Sequence, residues 1–365
     1  MVRGRVQQLE EARRALNLFA GQAAEPGDAP KYAALARIAA EDDGIAELLA
    51  AAPATQRHAT LFFAALHYTM LRNPQDPLAE WFSVNEDSAD PEVLLRGFCG
   101  RHHDALRDLI MFRKTQTNEV QRSSHLVLML SQVAQQASRP IALVEPGAAA
   151  GLNLLLDHYF YDWGTAGTMG DAGAFVKLSA DVLGSLPSIA TTLPVVRTRI
   201  GIDLAPVNLE DDDAVLWLRA CVWAEHRRRG KVLEQAIDFA RSRPPAVIAG
   251  DAVELLPDVL DQLSSADVAV CVMHSAFLPY LSEAQRQAFV ERLVDASHRY
   301  PVHWIVSEGW GLVVPMFQLE EPPRPPGADY SLLGVICTLD KGRVVTRLVL
   351  RAAPHGRWLQ WLADD

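Results

Sequence analysis

The sequence predicts a doubly wound α/β fold: a mainly parallel sheet with an antiparallel hairpin at its C-terminal end, preceded by an all-helical region. Three observations carry this expectation. Residues 1–138 show helical spacing almost throughout. From Ile141 onward, short apolar runs alternate with helical patterns, as successive βαβ units do. The chain then ends in two strand-like runs joined by the tight turn Asp340-Lys-Gly342.

In the N-terminal region, residues 7–20 and 32–49 are rich in alanine and leucine at helical spacing. Residues 58–72 (HATLFFAALHYTMLR) and 91–112 continue the pattern. Pro53, the Asn73-Pro-Gln-Asp-Pro77 turn and Pro91 punctuate it. Residues 117–130 read as the helix leading into the first strand. Candidate strands are 141–145, 197–204, 246–249, 268–274 and 303–307, with helical patterns at 211–224, 231–242, 252–263 and 282–298. The closing hairpin takes 332–339 and 343–350. Residues 157–194, rich in Gly, Tyr and Asp, are too irregular for one crossover helix and read as an inserted excursion. Residues 320–327 (EEPPRPPG) read as a surface loop. The expected division is a helical cap at 1–138 and an α/β domain at 139–365.

Of the 365 residues, 49% are hydrophobic and 22% charged, the composition of an ordinary globular protein with a large core. A formal charge of −11 argues against a nucleic-acid binder, which needs a basic face. The one basic run, Arg227-Arg-Arg-Gly-Lys231, reads as a solvated helix end. No apolar run reaches the roughly 20 residues that span a bilayer. The N-terminus lacks an apolar signal core, and Cys99, Cys221, Cys271 and Cys337 show no paired spacing. Reduced thiols, a cytoplasmic location, no membrane and a small-molecule partner are the expectations.

In a doubly wound sheet, ligands bind beyond the carboxyl ends of the strands. The first strand ends in Glu145-Pro-Gly-Ala-Ala-Ala-Gly151, an acid followed by very small residues, then a leucine-rich segment that predicts a helix. Nothing bulky stands at this junction, so a ligand can lie against backbone. The second strand delivers Asp203, the third Asp251, the fourth His274 and Ser275, the fifth Glu308 and Trp310. Each has a plainer reading beside the functional one. The loop can serve close strand–helix packing, and Asp203 can be a turn acid before Pro206. Asp251 can cap the helix starting at Ala252, and His274 can be a hydrogen-bonded strand-end histidine. Tyr280 and Trp310 can be packing residues.

The phrases Thr117-Asn-Glu119, Glu145-Pro-Gly-Ala-Ala-Ala-Gly-Leu-Asn-Leu154, Gly250-Asp-Ala252 and His274-Ser-Ala276 carry a resemblance. Over most of its length the chain resembles an uncharacterised bacterial family, domain of unknown function 2332. From about residue 141 to 350 it is also similar to class I S-adenosylmethionine-dependent methyltransferases, which are Rossmann-like. That resemblance implies S-adenosylmethionine as cofactor, with Glu145, Gly147 and Gly151 lining its methionine end and Ala149 and Asn153 also binding it. It implies Asp203 at the ribose, and Asp251 and Ala252 beside the adenine. His274 would be the catalytic base. Asn118, Glu119, Arg122, Ser275, Tyr280 and Trp310 would face the substrate. The chain departs from the usual loop at Ala149, where glycine is normal, and at Pro146, which removes a backbone donor.

Metal and covalent chemistry find no comparable pattern. His102 and His103 are adjacent and point apart on a helix, and H-E-x-x-H and P-loop motifs are absent. Ser275 lacks a nucleophile elbow. The expected function is a methyltransferase for a small or medium-sized substrate. The alternatives are an interaction protein that keeps the fold without cofactor binding, and an enzyme using another nucleoside or nucleotide at the same edge.

Overall fold

Helices fill the first part of the chain because its apolar residues recur every three or four positions. The computed structural model describes residues 2–23, 29–83, 89–187, 192–265, 267–325 and 331–363. Its first helices are Val2–Ala23, Pro30–Glu41, Asp43–Ala50, Ala59–Arg72, Pro77–Ser83, Pro91–Arg101 and His103–Phe112. Two expected helices are each split. Asp42 breaks the first, its side chain accepting from the Ile45 amide as an N-cap. His102 breaks the second, where its ring pairs with Asp76 at 3.2 Å.

The chain divides into two compact units, Met1–Thr117 with Glu210–Lys231, and Asn118–Leu209 with Val232–Asp365. The helix Asp212–Ala220 joins the first unit because Trp217 and Ala220 enter the same core as Tyr32, Phe62 and Phe63. The basic run at 227–231 opens the helix Arg227–Ser242. The division falls at 117/118, not 138/139. The helix Ser123–Ala137 belongs to the second unit because its apolar side lies on the sheet.

Among the described residues, the second unit holds twelve strands: β1 Ile141–Pro146, β2 Phe160–Asp162, β3 Thr168–Met169, β4 Lys177–Ser179, β5 Asp181–Val182, β6 Val196–Asp203, β7 Val247–Ala249, β8 Ala269–Ser275, β9 Val302–Gly309, β10 Leu332–Asp340, β11 Arg343–Ala352 and β12 Trp358–Trp361. Nine form one sheet in the order β5-β12-β11-β10-β9-β8-β1-β6-β7. Strands β7, β6, β1, β8 and β9 are parallel, and β10 to β12 each run antiparallel to their predecessor in the sheet. The β10–β11 hairpin turns on Lys341 and Gly342, both at positive φ, as a mirror-image turn requires. The excursion after β1 forms a small sheet, β3-β2-β4, before β5 reaches β12.

Strand order reverses between β1 and β8, so the carboxyl ends of these two strands flank the topological switch point. One face of the sheet presents Val144, Val270, Val272, Trp304, Val306 and Val335 to the helices Ala252–Leu263 and Glu283–Ser297. The alternate residues face the helix Ser123–Ala137, where His125 meets Ser307 and Met129 lies against Gly334.

The leucine-rich segment after the loop is a 3-10 helix, Leu152–His158, not the α-helix its sequence predicts. Side chains capture the carbonyls an α-helix would use. Tyr159 donates to Leu152 O at 2.6 Å, Arg199 to Leu154 O at 2.8 Å and Tyr161 to Leu156 O at 2.6 Å. Arg199 also grips Asp157 with two bonds, at 2.6 and 2.9 Å. All four cysteines are free and buried. Among the described residues, no helix is long and apolar enough to cross a membrane.

Candidate functional site

The candidate site begins where β1 ends. Burial on both faces makes β1 a continuous apolar run up to Val144, and Glu145 follows, one residue before the strand ends at Pro146. Only 4% exposed, Glu145 is hydrogen-bonded by Asn153, and its Oε2 has no partner among the described residues. Burial pushes its carboxyl up to about 8, with Asp203 adding to the rise and Asn153 opposing it.

The small-residue loop is held by its own protein. Gly147 and Ala148 donate to Ile202 O, and Gly151 donates to Ala148 O. Ala149 donates to Asp203 Oδ2 at 2.8 Å, and Ala150 and Leu152 donate to Asn118 Oδ1 at 3.2 and 3.0 Å. Every amide from Gly147 to Leu152 is therefore engaged. Gly147, Ala149 and Gly151 all take positive φ, at +72°, +52° and +72°. A side chain at Gly147 would collide with the Phe277 ring at 2.9 Å, and one at Gly151 with Pro245 at 2.8 Å. Glycine is required at both for space as well as for φ, whereas Ala149 adopts the left-handed region with a side chain present.

Asp203 bridges the loop to its own turn, its Oδ1 accepting from Ala205 at 2.9 Å. Its carbonyl accepts from Gly250, which brings Asp251 alongside. Asp251 caps the helix that begins at Ala252, accepting from Val253 at 2.7 Å. Glu145, the loop, Asn118, Asn153, Asp203 and Asp251 thus form one connected group at the ends of β1, β6 and β7.

Other expected site residues lie apart from it. His274 is fully buried on the opposite face of the sheet, among Phe277, Phe289 and Trp304. Its Nδ1 donates to Glu308 Oε1 at 2.8 Å, and its Nε2 accepts the Trp304 indole at 2.9 Å. The ring is fixed as the neutral Nδ1–H tautomer, so the lone pair a general base needs is occupied. The expectation of a base at His274 gives way to a structural role. Glu308 Oε1 also accepts from the Phe277 and Leu278 amides, which anchors the turn after β8, while its Oε2 has no partner among the described residues. Tyr280 is 76% exposed, and Trp310 stacks under the Arg324 guanidinium at 4.0 Å. Glu119 pairs with His355 at 3.3 Å and Arg122 donates to Pro354 O at 2.8 Å, which ties this segment to the C-terminal end of β11.

Ser275 follows His274 by one residue and therefore lies on the other face, with Glu145. It pairs in register with Ser307, and Ser307 Oγ meets His125 Nε2 at 2.9 Å. Ser123 Oγ donates to Asn153 Oδ1 at 2.9 Å. Sequence reasoning missed Ser123, His125 and Ser307. The signal was the polar triplet Ser123-Ser-His125 opening the apolar run Leu126-Val-Leu-Met-Leu130. Among the described residues, no three side chains are gathered to hold a metal ion.

No curated protein and no solved structure matches the chain. One family model does, over residues 13–361, nearly the whole length. The chain belongs to that family, described as uncharacterized protein conserved in bacteria (DUF2332).

Proposed function

We propose that the chain is a methyltransferase that binds S-adenosylmethionine at the carboxyl ends of β1, β6 and β7 and acts on a small or medium-sized substrate. The observation that carries this reading is the buried Glu145 carboxyl at the switch point, with its Oε2 unpartnered. A carboxyl placed there, held protonated by burial and able to ionise beside a cation, suits a ligand with positive charge, which the cofactor's sulfonium and ammonium provide. Glu145 would receive the methionine end, Asp203 the ribose side and Asp251 the adenine side. When bound, the cofactor supplies a methyl group already activated on sulfur, so the protein contributes mainly orientation and exclusion of water. Glu145 and Asn153 are buried and every loop amide is bonded, as such positioning requires.

A second reading, a protein that keeps the fold without the cofactor, is favoured by one feature. The Phe277 ring lies against Gly147, where a ligand would approach the backbone. A phosphate-bearing ligand has less support, because every loop amide is engaged and Glu145 would repel it. Titration calorimetry with S-adenosylmethionine and S-adenosylhomocysteine separates the first two readings. Saturable binding is expected, and purified protein that binds neither at millimolar ligand would overturn the methyltransferase reading.

A further inference from the structure

Strand β11 leaves part of its outer edge open. It pairs with β10 from Arg343 to Ala352, but on its other side β12 reaches only Leu350, Arg351 and Ala352. The Leu362 and Ala363 amides take the Val349 carbonyl. Residues 343–348 remain, the length of an ordinary strand. In the two-residue hairpin that turns on Lys341 and Gly342, Asp340 and Arg343 form the first hydrogen-bonded pair. Such pairs alternate along an antiparallel ladder, so Val344, Thr346 and Leu348 turn their amides and carbonyls outward. Among the described residues, none of these groups has a partner on that side. Val344 is 42% and Val345 53% exposed. A bare edge of this kind is a template for one more strand.

A cleft of about 560 Å³ lies beside the edge, within the roughly 300–1,000 Å³ of clefts that take ligands. Gln132, Gln135 and Gln136 line it from the helix Ser123–Ala137, Thr338 from β10, and Val345 and Arg347 from β11. Arg347 donates to Gln132 Oε1 at 3.2 Å. Thr338 pairs with His303 near the start of β9, so the cleft sits at the amino ends of the parallel strands, away from the candidate site. A strand added to β11 would continue the pleat and carry every second side chain on the face of Val345 and Arg347, over the cleft. The charge there is mainly positive. Lys341, Arg343 and Arg347 are exposed, with Asp340 opposing them on the hairpin. Pairing with a second copy of β11 would set two rows of arginine on one face of a shared sheet, which like charges disfavour. Carboxylates on the added strand turn the same charges into attraction, and arginine donates to them with the fork geometry they accept.

We infer that β11 docks an extended, acidic segment of a partner protein. The segment pairs with the backbone of Val344, Thr346 and Leu348 and sets alternate carboxylates against Arg343 and Arg347. This surface is separate from the proposed cofactor site and does not rest on it.

The probe is a fluorescein-labelled octapeptide of alternating Glu and Thr, with a Lys and Thr counterpart as control, read by fluorescence anisotropy on the full chain. Thr346→Pro removes an outward amide that no group of the described chain accepts, and an edge strand tolerates proline at such a place. Arg347→Glu reverses one exposed charge, and it carries the test should T346P fail a thermal scan. The acidic peptide should saturate the wild type and the lysine peptide should not, and each variant should weaken binding by at least about tenfold. Bound acidic peptide should also slow hydrogen exchange at the Val344, Thr346 and Leu348 amides by at least about tenfold. No saturable binding of the acidic peptide at about 1 mM overturns the inference, as does binding that leaves these three amides unprotected. Sedimentation that shows a wild-type dimer, split by T346P, overturns the acidic partner and gives the edge to a second copy of the chain.

Discussion

Replacing Glu145 by Gln tests the buried carboxyl directly. Gln keeps the shape and still accepts from Asn153, but it does not titrate. In the folded protein burial holds the Glu145 carboxyl up at about 8, against 4.5 for the free side chain. Between those values the folded state keeps a proton that the unfolded state has lost. The wild type is therefore most favoured below the unfolded value, and it loses stability as pH rises towards 8, by about 1.4 kcal/mol per pH unit. The full loss is on the order of 5 kcal/mol, complete above the folded value. E145Q lacks this slope. Urea unfolding of both proteins from pH 5.5 to 8.5 should show the variant gaining about 3 kcal/mol on the wild type between pH 5.5 and 7.5. All other titrating groups cancel in the difference. Parallel stability curves, within about 0.5 kcal/mol, would refute a buried, proton-bearing Glu145 and with it the basis of the candidate site.

Two further substitutions test the frame around it. His274→Asn removes the bonds to Glu308 and Trp304 together and should cost about 2–4 kcal/mol in urea unfolding, with the affinity for S-adenosylhomocysteine unchanged. Unchanged stability would contradict the structural role. Gly151→Ala meets both a φ of +72° and Pro245 at 2.8 Å, so it should cost at least about 2 kcal/mol, whereas Gly164→Ala, at φ +59° with open space, should cost only about 1 kcal/mol. Equal losses at the two glycines, read by thermal unfolding, would show that the loop is not tightly packed.

The strand ends were legible because they are marked chemically: apolar runs stop at Glu145, Asp203 and Ser275, and glycines mark the turns at 147, 151 and 342. Which face a strand-end residue takes was not. Strand β8 is apolar on both sides, since helices cover both faces of the sheet, so no alternation tells His274 from Ser275. The 3-10 helix was hidden for a different reason. Its carbonyls are captured by Tyr159, Tyr161 and Arg199, and the last comes from a strand more than forty residues away. Likewise, the apolar pattern of the helix Ser123–Ala137 matches that of the helices before it, and only packing assigns it to the sheet. Local preference yields to tertiary partners in each case.

The chemistry left at the site follows from what the loop already does. A small-residue loop after a parallel strand commonly offers its amides to an anion. Here Ile202, Asp203, Ala148 and Asn118 accept every amide from Gly147 to Leu152, so the loop fixes the strand ends and does not cradle a phosphate. Recognition then falls to side chains, and two at the switch point, Glu145 on β1 and Ser275 on β8, keep a buried oxygen without a partner among the described residues. Acceptors without donors call for a ligand rich in N–H groups and positive charge. The engaged loop that makes a phosphate site poor thus leaves recognition of the proposed cofactor to side chains. The same argument moves the functional weight one residue along β8, from His274, whose ring is fully bonded, to Ser275, whose hydroxyl is not.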